Sequence, residues 1–176
     1  VLPSAENALK IASEIVEQRF SGAACAFVAG SIMRGQGTTS SDIDLVVVFD
    51  HIDAAWRESF VQESVPVEAF AHDPSTLAWF MDEDARHGHP VLAHMVAEGR
   101  PVGDSDALAQ HLKQDATERM RKGPGPLADA RSKELRYIIT DLVDDLRGDR
   151  TAPEILAIAA SLYQPLADLA LLGRGV

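Results

Sequence analysis

Asp42 and Asp44 stand one residue apart in Ser41-Asp42-Ile43-Asp44-Leu45-Val46-Val47-Val48-Phe49, a run that starts polar and becomes wholly apolar. Side chains alternate along an extended strand, so both carboxylates project from one face while Ile43 and Leu45 take the other. Two like charges this close repel unless a cation lies between them. A divalent ion carrying nucleotide phosphates meets that need, because Mg²⁺ is usually held by one or two carboxylates plus phosphate oxygens. Upstream lies Gly30-Ser31-Ile32-Met33-Arg34-Gly35. Gly30 permits close approach of a ligand to the backbone, and a short helical turn after it would aim N–H groups at a phosphate.

Several elements must position these groups. Ser4 can cap a first helix through about Gln18 with Ala8, Ile11, Ala12 and Ile15 on one face. Ser21-Gly22 ends it, Ala24 to Ala29 reads as a buried strand, and Gln36 to Ser40 as a polar loop. Ile43 to Phe49 is the second core strand, buried on both faces by its continuous apolar end. Trp56–Val61 and Val65–Ala71 read as two strands around a turn, in preference to a helix over Asp53–Gln62. Asp73-Pro74-Ser75 caps a helix through Leu77, Phe80 and Met81; His89-Pro90 interrupts it, and Val91–Glu98 is helical again. From Ala107 the pattern is helical, broken at Gly123-Pro124-Gly125-Pro126 and at Thr151-Ala152-Pro153, with Pro165 expected to kink the last helix. The expected fold class is therefore α+β. A mixed sheet with flanking helices occupies residues 1–103, and a helical bundle occupies 104–176.

Bulk properties narrow the function. Sixteen Lys and Arg against 27 Asp and Glu leave a net charge of −11 over 176 residues, with a pI near 4.8. Such a surface repels a polyphosphate backbone, so nucleic acid is disfavoured as a partner and a small cationic molecule is favoured. Cys25, the one cysteine, sits in an apolar run and reads as core; with no second thiol there is no intrachain disulfide and no thiolate zinc site. No apolar stretch is expected to reach bilayer-spanning length and no signal peptide is visible, so the expectation is a cytoplasmic protein without membrane contact. The chain begins at Val1 without an initiator methionine, so segments of the natural protein can lie beyond either end.

The pattern Gly30-Ser31, Arg34-Gly35, then Ser41-Asp42-Ile43-Asp44-Leu45 resembles the minimal nucleotidyltransferases of the DNA polymerase beta-like superfamily. Thr39-Ser40 departs from a proline that relatives often carry in the connecting loop. The resemblance implies transfer of a nucleoside monophosphate, AMP from ATP, onto a hydroxyl of a small molecule such as an aminoglycoside. Two Mg²⁺ ions held by about three carboxylates would assist. Glu68, in Val67-Glu68-Ala69-Phe70, stands where the family places its third acid, there more often an Asp. Asp42, Asp44 and Glu68 are thus the expected catalytic and metal-binding residues, with Glu58 the rival third acid. Ser31 resembles the family's triphosphate-binding serine, Gly30 leaves it room, Ser41 would fix the strand entry, and Arg34 would either touch phosphate or lock the loop to an acid.

Other residues are less specific. Lys133 and Arg136 could bind phosphate, or pair with Glu134 or Asp129 on a solvated helix face. His72, His87, His89 and His94 suit no tight metal site and read as surface or substrate-facing. Trp79, Phe80 and Tyr137 read as core or cleft wall. No general base stands out among Asp82, Glu83, Asp141 and Asp145. The competing functions are a protein AMP-transferase of the toxin-partner type and a nucleotide-binding regulatory module without turnover. The helical region is a candidate homodimer surface.

Overall fold

Two central strands, Ala23–Ala29 and Ile43–Phe49, buried in continuous runs, organise the fold of the computed structural model, which describes residues 4–103 and 106–175. The chain runs α1 (Ala5–Arg19), β1 (Ala23–Ala29), β2 (Ile43–Phe49), β3 (Trp56–Gln62), β4 (Val65–His72), α2 (Pro74–Arg86), α3 (Val91–Glu98), β5 (Arg100–Val102), α4 (Asp106–Lys122), α5 (Asp129–Arg147) and α6 (Ala152–Leu172). The five strands form one mixed sheet in the order β3-β4-β2-β1-β5. Only β2 and β4 are parallel, with Asp44 beside Glu68; β1 lies antiparallel to β2, with Ala29 beside Asp44.

Each face of the sheet has its own core. Ile43, Leu45, Val47, Val67 and Ala69 meet Ala8, Ile11, Ala12 and Ile15 of α1. Phe27, Val46 and Val48 meet Leu77 and Met81 of α2, Leu92 and Val96 of α3, and Leu112 and Ala116 of α4. Local signals set the helix starts. The Ser4 hydroxyl accepts from the Asn7 N–H at 3.2 Å, and Asp73 forms a capping box with Thr76 before Pro74.

The α+β architecture expected from the sequence is the one observed, with one added strand. Pro101 cannot donate to a ladder and the strand is three residues long, so β5 has no alternation to announce it. The chain divides into two compact units, Val1–Arg121 and Lys122–Val176, with α4 in the first because Ala109, Leu112 and Ala116 pack in the sheet's core. The boundary expected at 103–104 falls against residues 104 and 105, which lie outside the described residues.

The second unit pairs α5 with α6. Leu135 and Leu162 are buried, and Arg131 stands 3.5 Å from Asp168 and donates to Glu134 at 2.8 Å. Pro165 lies within α6, which continues through it. One expectation is corrected here. The 21 residues of α6 hold an 18-residue window of mean hydropathy 1.7 with 6% of it buried, so this helix is long and apolar enough to cross a membrane by length and composition. At 1.5 Å per residue it spans about 31 Å, close to a bilayer's hydrocarbon core. Tyr137 and Trp79 are 71% and 55% exposed, which leaves neither in the core.

Candidate active site

The pleat of β2 and β4 carries Asp44 and Glu68 onto the face that meets α2 and α3, while Ile43 and Val67 enter the opposite core. Asp42 lies just before β2. One carboxylate oxygen from each of Asp42, Asp44 and Glu68 falls within 4.8 Å of the others. All three side chains are half-buried. The Asp44 carboxyl is pushed up to about 6, first by burial and then by the negative charges of Asp42 and Glu68, against the opposing pull of Arg34 and Arg57. Three converging hard oxygen donors whose negative charge Arg57 offsets only in part fit a divalent cation such as Mg²⁺ or Mn²⁺.

Gly30 ends β1 against this cluster with φ of +90°. A Cβ at Gly30 would fall 2.1 Å from Asp44 Oδ2, so no other residue fits without moving the carboxylate. The following turn closes through Arg34 N–H to Gly30 O at 3.3 Å, Gly35 N–H to Ile32 O at 3.1 Å and Gln36 N–H to Ser31 O at 2.9 Å. Those bonds leave the N–H groups of Ser31, Ile32 and Met33 outside the turn's own closure. The Ser31 hydroxyl donates to Ser41 Oγ at 3.0 Å, and Ser41 Oγ accepts the Thr38 N–H at 2.8 Å. Ser41 thereby ties the loop to both the turn and the entry of β2. Arg34 stands 3.9 Å from Glu98 at the mouth of the cleft.

A cavity of about 460 Å³ opens beside Asp44, lined by Gly30 and Arg34 on one side and by His89, Pro90, His94 and Met95 on the other. The bend between α2 and α3 brings these two histidines to the site. His94 Nε2 lies 3.2 Å from Glu98 Oε1. His87 turns away, its Nδ1 lying 2.9 Å from the Glu83 carbonyl. No spacing in the sequence pairs His89 or His94 with Asp44; the interrupting His89-Pro90 is the one local sign of a bend.

Sequence reasoning also missed Arg57. Its Nε donates to Glu68 Oε1 at 2.7 Å, and its terminal nitrogen makes a second contact with the same oxygen. Glu58, the rival third acid, lies elsewhere. Ser59 and Arg57 stand opposite Glu68 and Phe70, so Glu58 takes the other face, where Arg19 donates to it at 2.5 Å. That hydrogen bond holds the Glu58 carboxyl below its usual range. Lys133 and Arg136 lie on α5 in the second unit; Arg136 lines a cavity there with Asp129 and Leu169.

Comparison with known proteins finds a match over part of the chain. Residues 9–71, which include Gly30, Ser31 and all three acids, match the family model of the nucleotidyltransferase domain. No curated protein matches the chain. Among solved structures the chain is similar to a nucleotidyltransferase-like protein from Exiguobacterium sibiricum 255-15, with 14% identity and a TM-score of 0.47. The match takes in 95% of this chain and 56% of that one, so this chain spans little more than half of that protein's length.

Proposed function

We propose that this chain, an enzyme that carries a nucleotidyltransferase domain, moves AMP from ATP onto a hydroxyl of a small molecule. The observation that carries this reading is the convergence of Asp42, Asp44 and Glu68 oxygens within 4.8 Å, beside a glycine that admits no side chain. These acids would hold two Mg²⁺ ions. Bound there, the ions would neutralise the departing pyrophosphate and help the acceptor hydroxyl to ionise.

The remaining work falls to the chain itself. Ser31 and the N–H groups of the turn face the β- and γ-phosphates, and Arg34 adds positive charge at the cleft mouth. The cavity beside His89 and His94 receives the nucleoside. The acceptor oxygen bonds to the α-phosphorus as the bond to the bridging oxygen of the β-phosphate breaks. Pyrophosphate leaves and the hydroxyl proton passes to solvent. Net charge of −11 favours cationic acceptors, a class that includes the aminoglycosides.

Incubation with α-labelled ATP, Mg²⁺ and a panel of hydroxyl acceptors and proteins tests the proposal. The expected result is label transfer that Asp44→Asn abolishes. Tight ATP binding with no transfer to any acceptor would replace it with a regulatory module.

A further inference from the structure

The acid cluster has two flanks. Ser31 and the turn lie on the β1 side of β2. On the other side, β4 continues along the same face from Glu68 to Phe70 and His72, and there a second cavity of about 320 Å³ opens. Trp56, Phe70, Phe80 and Leu92 give it apolar walls, and Asp84 adds one carboxylate.

Three observations separate this cavity from a gap in packing. Its aromatic walls face water: Trp56 is 42% and Phe80 37% exposed. Concave apolar surface with a few polar groups is the usual form of a small-molecule site. His72 lines the cavity and is only 4% exposed, yet among the described residues its Nδ1 has no hydrogen-bond partner. Such a buried polar atom is ordinarily paired. Finally, Arg57 joins the cavity to the acids, since it lines the wall, binds Glu68 and lies 5.2 Å from the centre of the Phe70 ring.

We propose that this cavity binds the ring of the acceptor, a small hydroxyl compound with a flat aromatic or alicyclic body. The inference rests on the nucleotidyl-transfer reading above. In-line displacement places the attacking oxygen and the leaving pyrophosphate on opposite sides of the α-phosphorus. With pyrophosphate over Ser31, the strand order β3-β4-β2-β1 leaves the β4–β3 flank for the acceptor. Phe70 is two residues beyond Glu68, about 7 Å along the strand, which is the reach of a short hydroxyalkyl arm on a ring. Asp84 suits an ammonium on that ring, and His72 Nδ1 can meet one polar atom of it. The acceptor oxygen then bonds to the α-phosphorus, pyrophosphate departs toward Ser31, and the hydroxyl proton goes to solvent.

The test uses the full chain, Mg²⁺, α-labelled ATP and 2-amino-1-phenylethanol, with 1-amino-2-propanol as a ringless comparison. Binding of an ATP analogue with methylene between the α- and β-phosphorus is measured in parallel by calorimetry. The expected outcome is transfer to the aryl alcohol, with Phe80→Ala raising its KM at least tenfold while kcat changes less than threefold. Trp56→Ala is the second variant, and thermal unfolding checks that both fold. Analogue affinity stays unchanged in both. The proposal is overturned if 1-amino-2-propanol is the better acceptor, or if neither variant moves the aryl alcohol's KM. It is equally overturned if the variants weaken the ATP analogue instead, which would make the cavity a nucleobase site. Absence of analogue binding to the unsubstituted chain would remove the donor reading itself, and the acceptor role with it.

Discussion

Gly30→Ala is the substitution whose consequences follow most directly from geometry. The new methyl would meet Asp44 Oδ2 at 2.1 Å, where real Cβ contacts essentially never fall below 3.0 Å, so the carboxylate must move by at least 0.9 Å. Functional constellations tolerate displacements of about 0.5 Å. We therefore predict a loss of Mn²⁺ affinity on the order of 10–100-fold, the size seen when a group that orients a metal ligand is lost. Stability falls as well. A φ of +90° costs a non-glycine residue about 1–3 kcal/mol, and an off-rotamer Asp44 adds about 0.5–1.5 kcal/mol. Gly22→Ala is the matched control, since its φ is +94° and a Cβ there meets nothing within 4 Å. It carries the backbone cost alone and leaves the metal site intact. Denaturant unfolding and Mn²⁺ binding by electron paramagnetic resonance read both quantities. In an Asp44→Ala background, Gly30→Ala should retain only its backbone cost. Wild-type Mn²⁺ affinity in Gly30→Ala would refute the close packing of Gly30 on Asp44.

Further outcomes follow from the charged and buried groups. Because the folded Asp44 pKa, about 6, lies above its ordinary value of 3.8, the folded state binds the extra proton between those values. Metal-free stability should therefore fall as pH rises from 4 to about 6, by an order of 1 kcal/mol after solvent screening. Asp44→Asn should flatten that slope in pH-dependent thermal unfolding; an unchanged slope would assign it to other groups. Mn²⁺ should raise the melting temperature of the wild type but not of Asp44→Asn. Asp73 is held well below its usual pKa by the Thr76 N–H, the Ser75 hydroxyl and further hydrogen bonds, so its contribution is present above pH 4 and lost as pH falls further. Asp73→Ala should cost about 1–2 kcal/mol at neutral pH, and equal stability in urea would contradict the cap. Cys25 is buried and its thiol pushed up to about 11, chiefly by burial, so disulfide reagents should label it at the unfolding rate. Rapid labelling of the native chain at pH 7.5 would contradict that burial.

Much of the site is legible locally. The period-two alternation of Asp42-Ile43-Asp44-Leu45 places two acids on one face whatever surrounds them, and Val67-Glu68-Ala69-Phe70 repeats the pattern. The helix caps at Ser4 and Asp73 act within their own first turns, so nearby residues suffice to read them. Pro165, expected to kink the last helix, lies within α6, and the helix continues through it.

What the sequence determined by itself is this set of short-range facts: which residues alternate, which cap, and which glycine precedes the acids. Only the tertiary structure decided which partners meet. Glu63 and Ser64 both adopt positive φ in the β3–β4 turn, and the resulting register puts Ser59 opposite Glu68 and sends Glu58 to the other face. A slip of one residue would exchange those faces, and neither strand alone specifies the pairing. In the same way, the α2–α3 bend carries His89 and His94 to Asp44 across a distance in sequence that no local preference spans. Side-chain direction is a property of one strand, whereas the composition of a cavity belongs to the packing of several.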